Sequence, residues 1–96
     1  MKINADAISD GYVCVADRYT TDNEKLLRII DFICSKMDCT IIKPGGICYE
    51  PDTPLSHASF VMNRYYQAQG RHKEDCDFEG AGYLTDIDPS YGGCRY

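Results

Sequence analysis

Acidic side chains are the most abundant chemically active groups in this sequence. Fifteen Asp and Glu oppose ten Lys and Arg, which gives a formal net charge of −5. A pair of carboxylates can hydrolyse a glycoside, but so many acids in 96 residues form pairs by chance and locate no site. One small core also seldom supplies the long cleft that such an enzyme needs. We therefore predict no catalytic residue, and the acidic balance disfavours sequence-independent nucleic-acid binding.

The two histidines offer little for nucleophilic catalysis. His57 lies early in a predicted helix, and we interpret it as a buried or capping hydrogen-bonding group rather than a base. His72 follows Arg71 and precedes Lys73 and Glu74, so we expect it in solvent.

One segment approaches a calcium-binding loop. The run from Asp75 to Gly80, followed by Asp86, resembles the EF-hand pattern, but Glu79 and Asp86 do not suit their positions in it. We interpret this segment as a turn that Cys76 ties to another part of the chain, and we predict neither a metal nor a cofactor.

Six cysteines set the covalent framework. Their number is even and none forms a C-x-x-C pair, which argues against zinc ribbons and thioredoxin-like chemistry. We predict three disulfides formed in an oxidising compartment, and hence secretion, although residues 1–6 lack the apolar run of a signal and no stretch could span a membrane. Six cysteines allow about 15 connectivities, and spacing favours only a local Cys34–Cys39 bridge.

Two helices are predicted to position these groups. Thr21 to Glu24 has the form of a capping box, and the apolar spacing that follows predicts a first helix over 22–35. Thr53 and Pro54 open a second helix as N-cap and first helical residue, and Gly70 ends it. Its predicted buried face comprises Leu55, Ala58, Met62, Tyr65, Tyr66 and Gln69, and its opposite edge His57, Asn63 and Arg64.

The remaining chain reads as turns and short strands. The Pro-Gly-Gly run at 44–46 predicts a turn over 43–46, and strands are possible over 47–50 and 83–85. Residues 1–12 are predicted to be a flexible lead-in and 13–96 a single domain. The fold class is a small disulfide-rich α+β domain.

Aromatic residues are the remaining functional signal. The chain has eight Tyr, three Phe and no Trp, and phenol rings suit half-wet surfaces because they join an apolar face to a hydroxyl. They can form core, or a platform for the apolar C–H face of a sugar ring, and composition does not separate the two. Those in the second half are Tyr49, Phe60, Tyr65, Tyr66, Phe78, Tyr83, Tyr91 and Tyr96.

Four motifs in order, together with all six cysteines, resemble the plant X8 domain, also called carbohydrate-binding module family 43. The motifs are Pro44-Gly45-Gly46-x-Cys48-Tyr49-x-Pro51, His57-Ala58-Ser59-Phe60-x-x-Asn63-x-Tyr65-Tyr66-Gln67, Cys76-Asp77-Phe78-x-Gly80 and Asp88-Pro89-Ser90-Tyr91-Gly92-x-Cys94-x-Tyr96. The sequence departs from the family at Val13, where a Trp is common before the first cysteine.

The resemblance implies a fold and a function. The family binds β-1,3-glucan of the callose or laminarin type without catalysis, as an appendage of plant glucanases, as stand-alone secreted proteins including pollen allergens, and in lipid-anchored proteins at plasmodesmata. Its fold has two angled helices, a small antiparallel sheet and long loops. The implied disulfides are Cys14–Cys76, Cys34–Cys39 and Cys48–Cys94.

We therefore expect a monomeric glucan-binding module of the plant cell wall. The alternative is a disulfide-stapled interaction protein that binds another wall protein or a receptor and has little sugar affinity. The candidate sugar-contacting rings are Tyr49, Phe60, Tyr66, Tyr91 and Tyr96, and the candidate polar partners are Glu50, Asn63, Gln67 and Asp88.

Overall fold

A computed structural model describes residues 11–19 and 21–96. Nearly all of the predicted lead-in, residues 1–12, lies outside the described residues. The ordered elements are strand β1 (Val13–Ala16), helix α1 (Asn23–Cys34), helix α2 (Pro54–Ala68) and strand β2 (Gly82–Thr85), with 3-10 turns at Thr40–Ile42, Lys73–Cys76 and Phe78–Gly80. The predicted small α+β class is confirmed.

Helix α1 begins one residue later than the capping-box pattern places it. Asp22, rather than Thr21, is the N-cap, and its side chain accepts a hydrogen bond of 2.8 Å from the Lys25 backbone N–H. A carboxylate at this position satisfies one of the free N–H groups of the first turn. The helix buries Leu26, Ile29 and Ile33.

Helix α2 is the centre of the domain. Thr53 caps it as predicted, accepting a hydrogen bond of 3.1 Å from the Ser56 N–H, and Gly70 follows its end with φ of +101°. Both α1 and β1 pack against α2. It therefore buries much more than one face, and its buried residues are Ala58, Ser59, Phe60, Val61, Met62, Asn63 and Tyr66.

The two strands form one antiparallel pair, with Val13 opposite Thr85 and Ala16 opposite Gly82. The predicted strand at 83–85 is thus confirmed, and β1, which sequence patterning did not predict, is its partner. The other possible strand, at 47–50, is wrong. Ile47 and Cys48 form a turn, in which the Cys48 N–H donates to the Ile41 carbonyl at 3.0 Å, and the next two residues have no regular structure.

Two side chains of α2 hydrogen-bond β1 on the edge away from β2. The Asn63 Oδ1 accepts from the Cys14 N–H and the Ser59 Oγ from the Ala16 N–H, both at 2.9 Å. Four residues along a helix rise about 6 Å, close to the roughly 6.6 Å of two residues along a strand. This pair, Ser59 and Asn63, is called the edge clamp below.

Three disulfides have the pairing that the family resemblance implies. Cys14–Cys76 joins β1 to the turn before β2, Cys34–Cys39 closes the segment after α1, and Cys48–Cys94 joins the loop before α2 to the C-terminal segment. The first bridge spans 62 residues and should stabilise the fold by about 4 kcal/mol through the lost entropy of the unfolded chain.

In the described part of the chain, no helix combines the length and the apolar character needed to cross a lipid bilayer.

The edge clamp yields a stability prediction. Ser59→Ala should lower the free energy of unfolding by about 1–3 kcal/mol, because it leaves the buried Ala16 N–H without an acceptor. Ser56→Ala is the matched control on the same helix, and its hydroxyl lies 3.4 Å from the Tyr91 hydroxyl rather than on a backbone N–H. Urea denaturation of the oxidised proteins measures both. Equal stability of the two variants would contradict the clamp.

Candidate functional site

A groove lies between the strand pair, the first turns of α2 and the C-terminal segment. Its volume is about 570 Å³, and four of its lining side chains are tyrosines. We call it the tyrosine groove. It is lined by Val15, Ala16, Asp17, Arg18, Tyr19, Pro51, Thr53, Leu55, Ser56, Ser59, Tyr83, Thr85, Ile87, Pro89, Tyr91 and Tyr96.

The tyrosines differ in how far they reach into solvent. Tyr19 is 89% exposed and Tyr83 50%, whereas Tyr91 and Tyr96 are half-buried. Such a groove offers ring faces to a ligand without a closed cavity. An apolar ring face beside hydroxyls and a carboxylate matches a ligand that alternates apolar and hydroxylated surface.

The half-buried tyrosines are held from α2. The Tyr96 hydroxyl donates to the Ser56 carbonyl at 3.4 Å, and its ring meets the Phe60 ring edge-on with centroids 5.3 Å apart. The Tyr96 N–H also donates to the Ser90 Oγ at 3.0 Å. These contacts place the C-terminal segment across the start of the helix and form one wall of the groove.

A smaller pocket, of about 290 Å³, shares Tyr96 and Ile87 with the tyrosine groove. We call it the polar annex, because Gln67, Asp86 and Asp88 line it. Hydrogen bonds from the Ser90 side chain and backbone N–H hold the pKa of Asp88 below its usual range. The annex therefore extends the groove with amide and carboxylate groups that can accept or donate hydrogen bonds.

Four of the nine predicted contact residues lie on this surface. Tyr91 and Tyr96 line the groove, and Gln67, Asp88 and again Tyr96 line the annex.

Two more predicted residues lie beside the surface. Tyr49 and Glu50 precede Pro51 but do not line the groove themselves. The Tyr49 hydroxyl donates to Asp52 at 2.8 Å, and this hydrogen bond raises the pKa of Tyr49. The Tyr49 carbonyl oxygen lies 2.6 Å from the His57 Nε2, within hydrogen-bonding distance. His57 thus has the hydrogen-bonding role predicted for it.

Phe60, Asn63 and Tyr66 are corrections to the predicted contact set. They are 2%, 0% and 0% exposed, so their side chains are not on the surface. Asn63 belongs to the edge clamp. Phe60 and Tyr66 are core residues, because α2 is covered by both α1 and β1.

The two most exposed groove rings, Tyr19 and Tyr83, were absent from the predicted set. Tyr83 could have been found from the strand pattern, because its neighbours Gly82 and Leu84 point to the other face of β2. Tyr19 follows β1, which was not predicted, so no sequence signal placed it here.

Comparison with known proteins identifies the family. The model of the X8 domain matches residues 12–83. The chain belongs to the X8 domain family. A glucan endo-1,3-beta-glucosidase of Triticum aestivum is 45% identical over 86 residues, covering 90% of this chain and 18% of the enzyme. The major pollen allergen Ole e 10 of Olea europaea is 45% identical over 85 residues, covering 86% of this chain and 68% of the allergen.

The length of the match differs between these relatives. Glucan endo-1,3-beta-glucosidase 12 of Arabidopsis thaliana is 44% identical over 85 residues, which is 16% of that enzyme. This X8 chain therefore spans less than a fifth of the glucosidases that it matches.

Burial of Tyr96 yields a pH prediction. Desolvation, with a smaller contribution from Tyr91, raises the pKa of Tyr96 from 10.0 to about 12. Since the folded-state pKa is the higher one, this contribution to stability is complete below pH 10 and is lost as the pH rises to about 12. The difference between phenolate absorbance titrations of the wild type and Tyr96→Phe should show this ionisation near pH 12. A difference titration centred near pH 10 would contradict the buried placement.

Proposed function

We propose that this X8 domain is a non-catalytic module that binds β-1,3-glucan in the tyrosine groove. The observation that carries the proposal is the groove itself, with four tyrosines beside hydroxyl and carboxylate groups. The relatives named glucan endo-1,3-beta-glucosidases supply the choice of polymer.

Sugar binding here combines two interactions. The C–H face of a pyranose packs on an exposed ring such as Tyr83, and its hydroxyls exchange hydrogen bonds with side chains such as Thr53, Thr85 and Asp17, which line the same groove. Each hydrogen bond contributes about 1 kcal/mol net, and an open groove leaves much of the ligand wet. We therefore expect dissociation constants between about 1 μM and 1 mM.

The charge distribution of the groove supports a binding role without catalysis. Asp17 is the one carboxylate among the residues that line the tyrosine groove, and its Oδ1 accepts a hydrogen bond of 2.9 Å from the Tyr19 N–H. The carboxylates of Asp86 and Asp88 line only the annex. Glycoside hydrolysis ordinarily requires two carboxyl groups on either side of the bond. We expect the domain to release no reducing sugar from laminarin.

The proposed setting is extracellular. Three disulfides favour an oxidising compartment, and a β-1,3-glucan ligand is consistent with the plant cell wall as the proposed location. We propose that residues 13–96 act as one monomeric module.

Tyr83→Ala should weaken laminarin binding about three- to tenfold, because one ring contact contributes about 0.5–1.5 kcal/mol. Tyr49→Ala is the matched control: it removes the same side chain from a predicted contact residue outside the groove. Isothermal titration with laminarin measures both, and unchanged far-UV circular dichroism shows that each variant folds. A larger loss for Tyr49→Ala than for Tyr83→Ala would contradict the groove.

A pull-down on insoluble β-1,3-glucan tests the polymer. Retention that soluble laminarin competes away, and soluble cellulose oligomers do not, is the expected result. No retention would contradict glucan binding and favour the interaction protein.

A further inference from the structure

Helix α1 carries a second groove that shares no lining residue with the tyrosine groove. It lies between the helix and the turn at Phe78–Gly80, and its volume is about 540 Å³. We call it the basic groove. It is lined by Lys25, Arg28, Ile29, Phe32, Phe78 and Glu79.

Two of its lining residues, Phe32 and Phe78, belong to a row of three aromatic rings. The Tyr65 ring lies between Phe32 and Phe78, with centroid distances of 5.9 and 5.7 Å. Phe32 remains 45% exposed, although Leu26 and Ile33 on the same helix are buried. The row therefore holds Phe32 at the surface, where the Lys36 Nζ lies over its ring.

The opposite wall is a turn held in an unfavourable conformation. Phe78 and Glu79 have φ of +44° and +56°, in the left-handed region that non-glycine residues rarely adopt. The Lys25 Nζ donates to the Glu79 carbonyl at 2.8 Å and so fixes the turn to the helix. The groove is therefore a built feature of the fold rather than a gap between mobile parts.

Three cations lie around the Phe32 ring although the chain as a whole is acidic, and they outnumber Glu79, the one carboxylate that lines this groove. Lys25, Arg28 and Phe32 lie within about 60° of one another around the helix axis at 100° per residue. The Lys36 Nζ lies 5.0 Å from the centre of the Phe32 ring. Among the described residues, the exposed carboxylates nearest in sequence, Glu24 and Asp31, form no ion pair with Arg28.

These groups select an anionic ligand that also has an apolar face. A neutral glucan could stack on Phe32 but would leave the guanidinium of Arg28 to water. An extended acidic peptide would meet the charges but would find no strand edge for its backbone, because the backbone of α1 is already bonded internally. A uronic acid polymer supplies both. Its carboxylates pair with the planar guanidinium of Arg28 and draw the Lys36 ammonium off the Phe32 ring, which the C–H face of the sugar then covers.

We propose that the basic groove binds an acidic polysaccharide built of uronic acids, independently of glucan binding in the tyrosine groove. The domain then has two polymer-binding surfaces of different chemistry. The tyrosine groove lies on the strand pair and the start of α2, and the basic groove lies on α1. It can link a neutral polymer to an acidic one.

The test compares two charge-neutralising variants by isothermal titration with an octagalacturonate at low ionic strength. Arg28→Gln should weaken binding about three- to tenfold, whereas Lys43→Gln, an exposed cation outside the groove that changes the net charge equally, should not. Both variants should bind laminarin as the wild type does, so a failure here is separable from a failure of the tyrosine groove. Equal loss in the two variants, or no binding by the wild type, would overturn the proposal.

Two further ligands test the chemistry. A carboxyl-reduced octamer should not bind, because it keeps the sugar rings without the charge. Poly-glutamate of equal charge should bind more weakly than the uronate. If poly-glutamate binds as tightly and Arg28→Gln weakens both equally, or if Phe32→Ala keeps full uronate affinity, the surface recognises charge alone and the proposal is wrong.

Discussion

The edge clamp is the constraint on which the rest of the structure depends. A two-stranded ribbon is marginal in water by itself, and β1 would present free N–H groups on its outer edge. Ser59 and Asn63 take the place of a third strand by accepting from the Ala16 and Cys14 N–H groups. Because both acceptors lie on α2, the clamp fixes the strand pair to the same helix whose first turns hold the C-terminal tyrosines.

Disulfides and close packing extend this arrangement. Cys14, whose N–H enters the clamp, is also bridged to Cys76, and a Cβ at Gly82 would clash with the Cys76 carbonyl oxygen. The start of β2 is thus pressed against the bridge. Because both strands are fixed against α2 and the Cys14–Cys76 bridge, Tyr83 projects from β2 toward solvent. The tyrosine groove therefore results from the packing of the strand pair rather than from a dedicated loop.

The sequence predicts the helix limits, which depend on local capping and backbone preferences. It does not predict which side chains of α2 are buried, because that depends on the elements that pack against the helix. Thr53 and Gly70 mark the limits of α2 through capping and backbone preference, which act within a few residues. Asn63 looked like a surface amide because a single buried face leaves it outside. It is buried because β1 packs on that side, and β1 is too short to show a clear alternation. The family resemblance gave the two long-range disulfides, Cys14–Cys76 and Cys48–Cys94, whereas spacing indicated only Cys34–Cys39. Tyr66 shows the limit of such a resemblance, since a motif residue can be core as readily as contact.

The most direct measurement is amide chemical-shift mapping of the oxidised domain during titration with a laminari-oligosaccharide. We expect the largest shifts to cluster in β1, β2, the first turns of α2 and the segment from Ile87 to Tyr96. The amides of Cys14 and Ala16 should keep their protection from hydrogen exchange. Shifts centred instead on residues 47–50, or confined to the face of α1, would contradict the tyrosine groove as the glucan site.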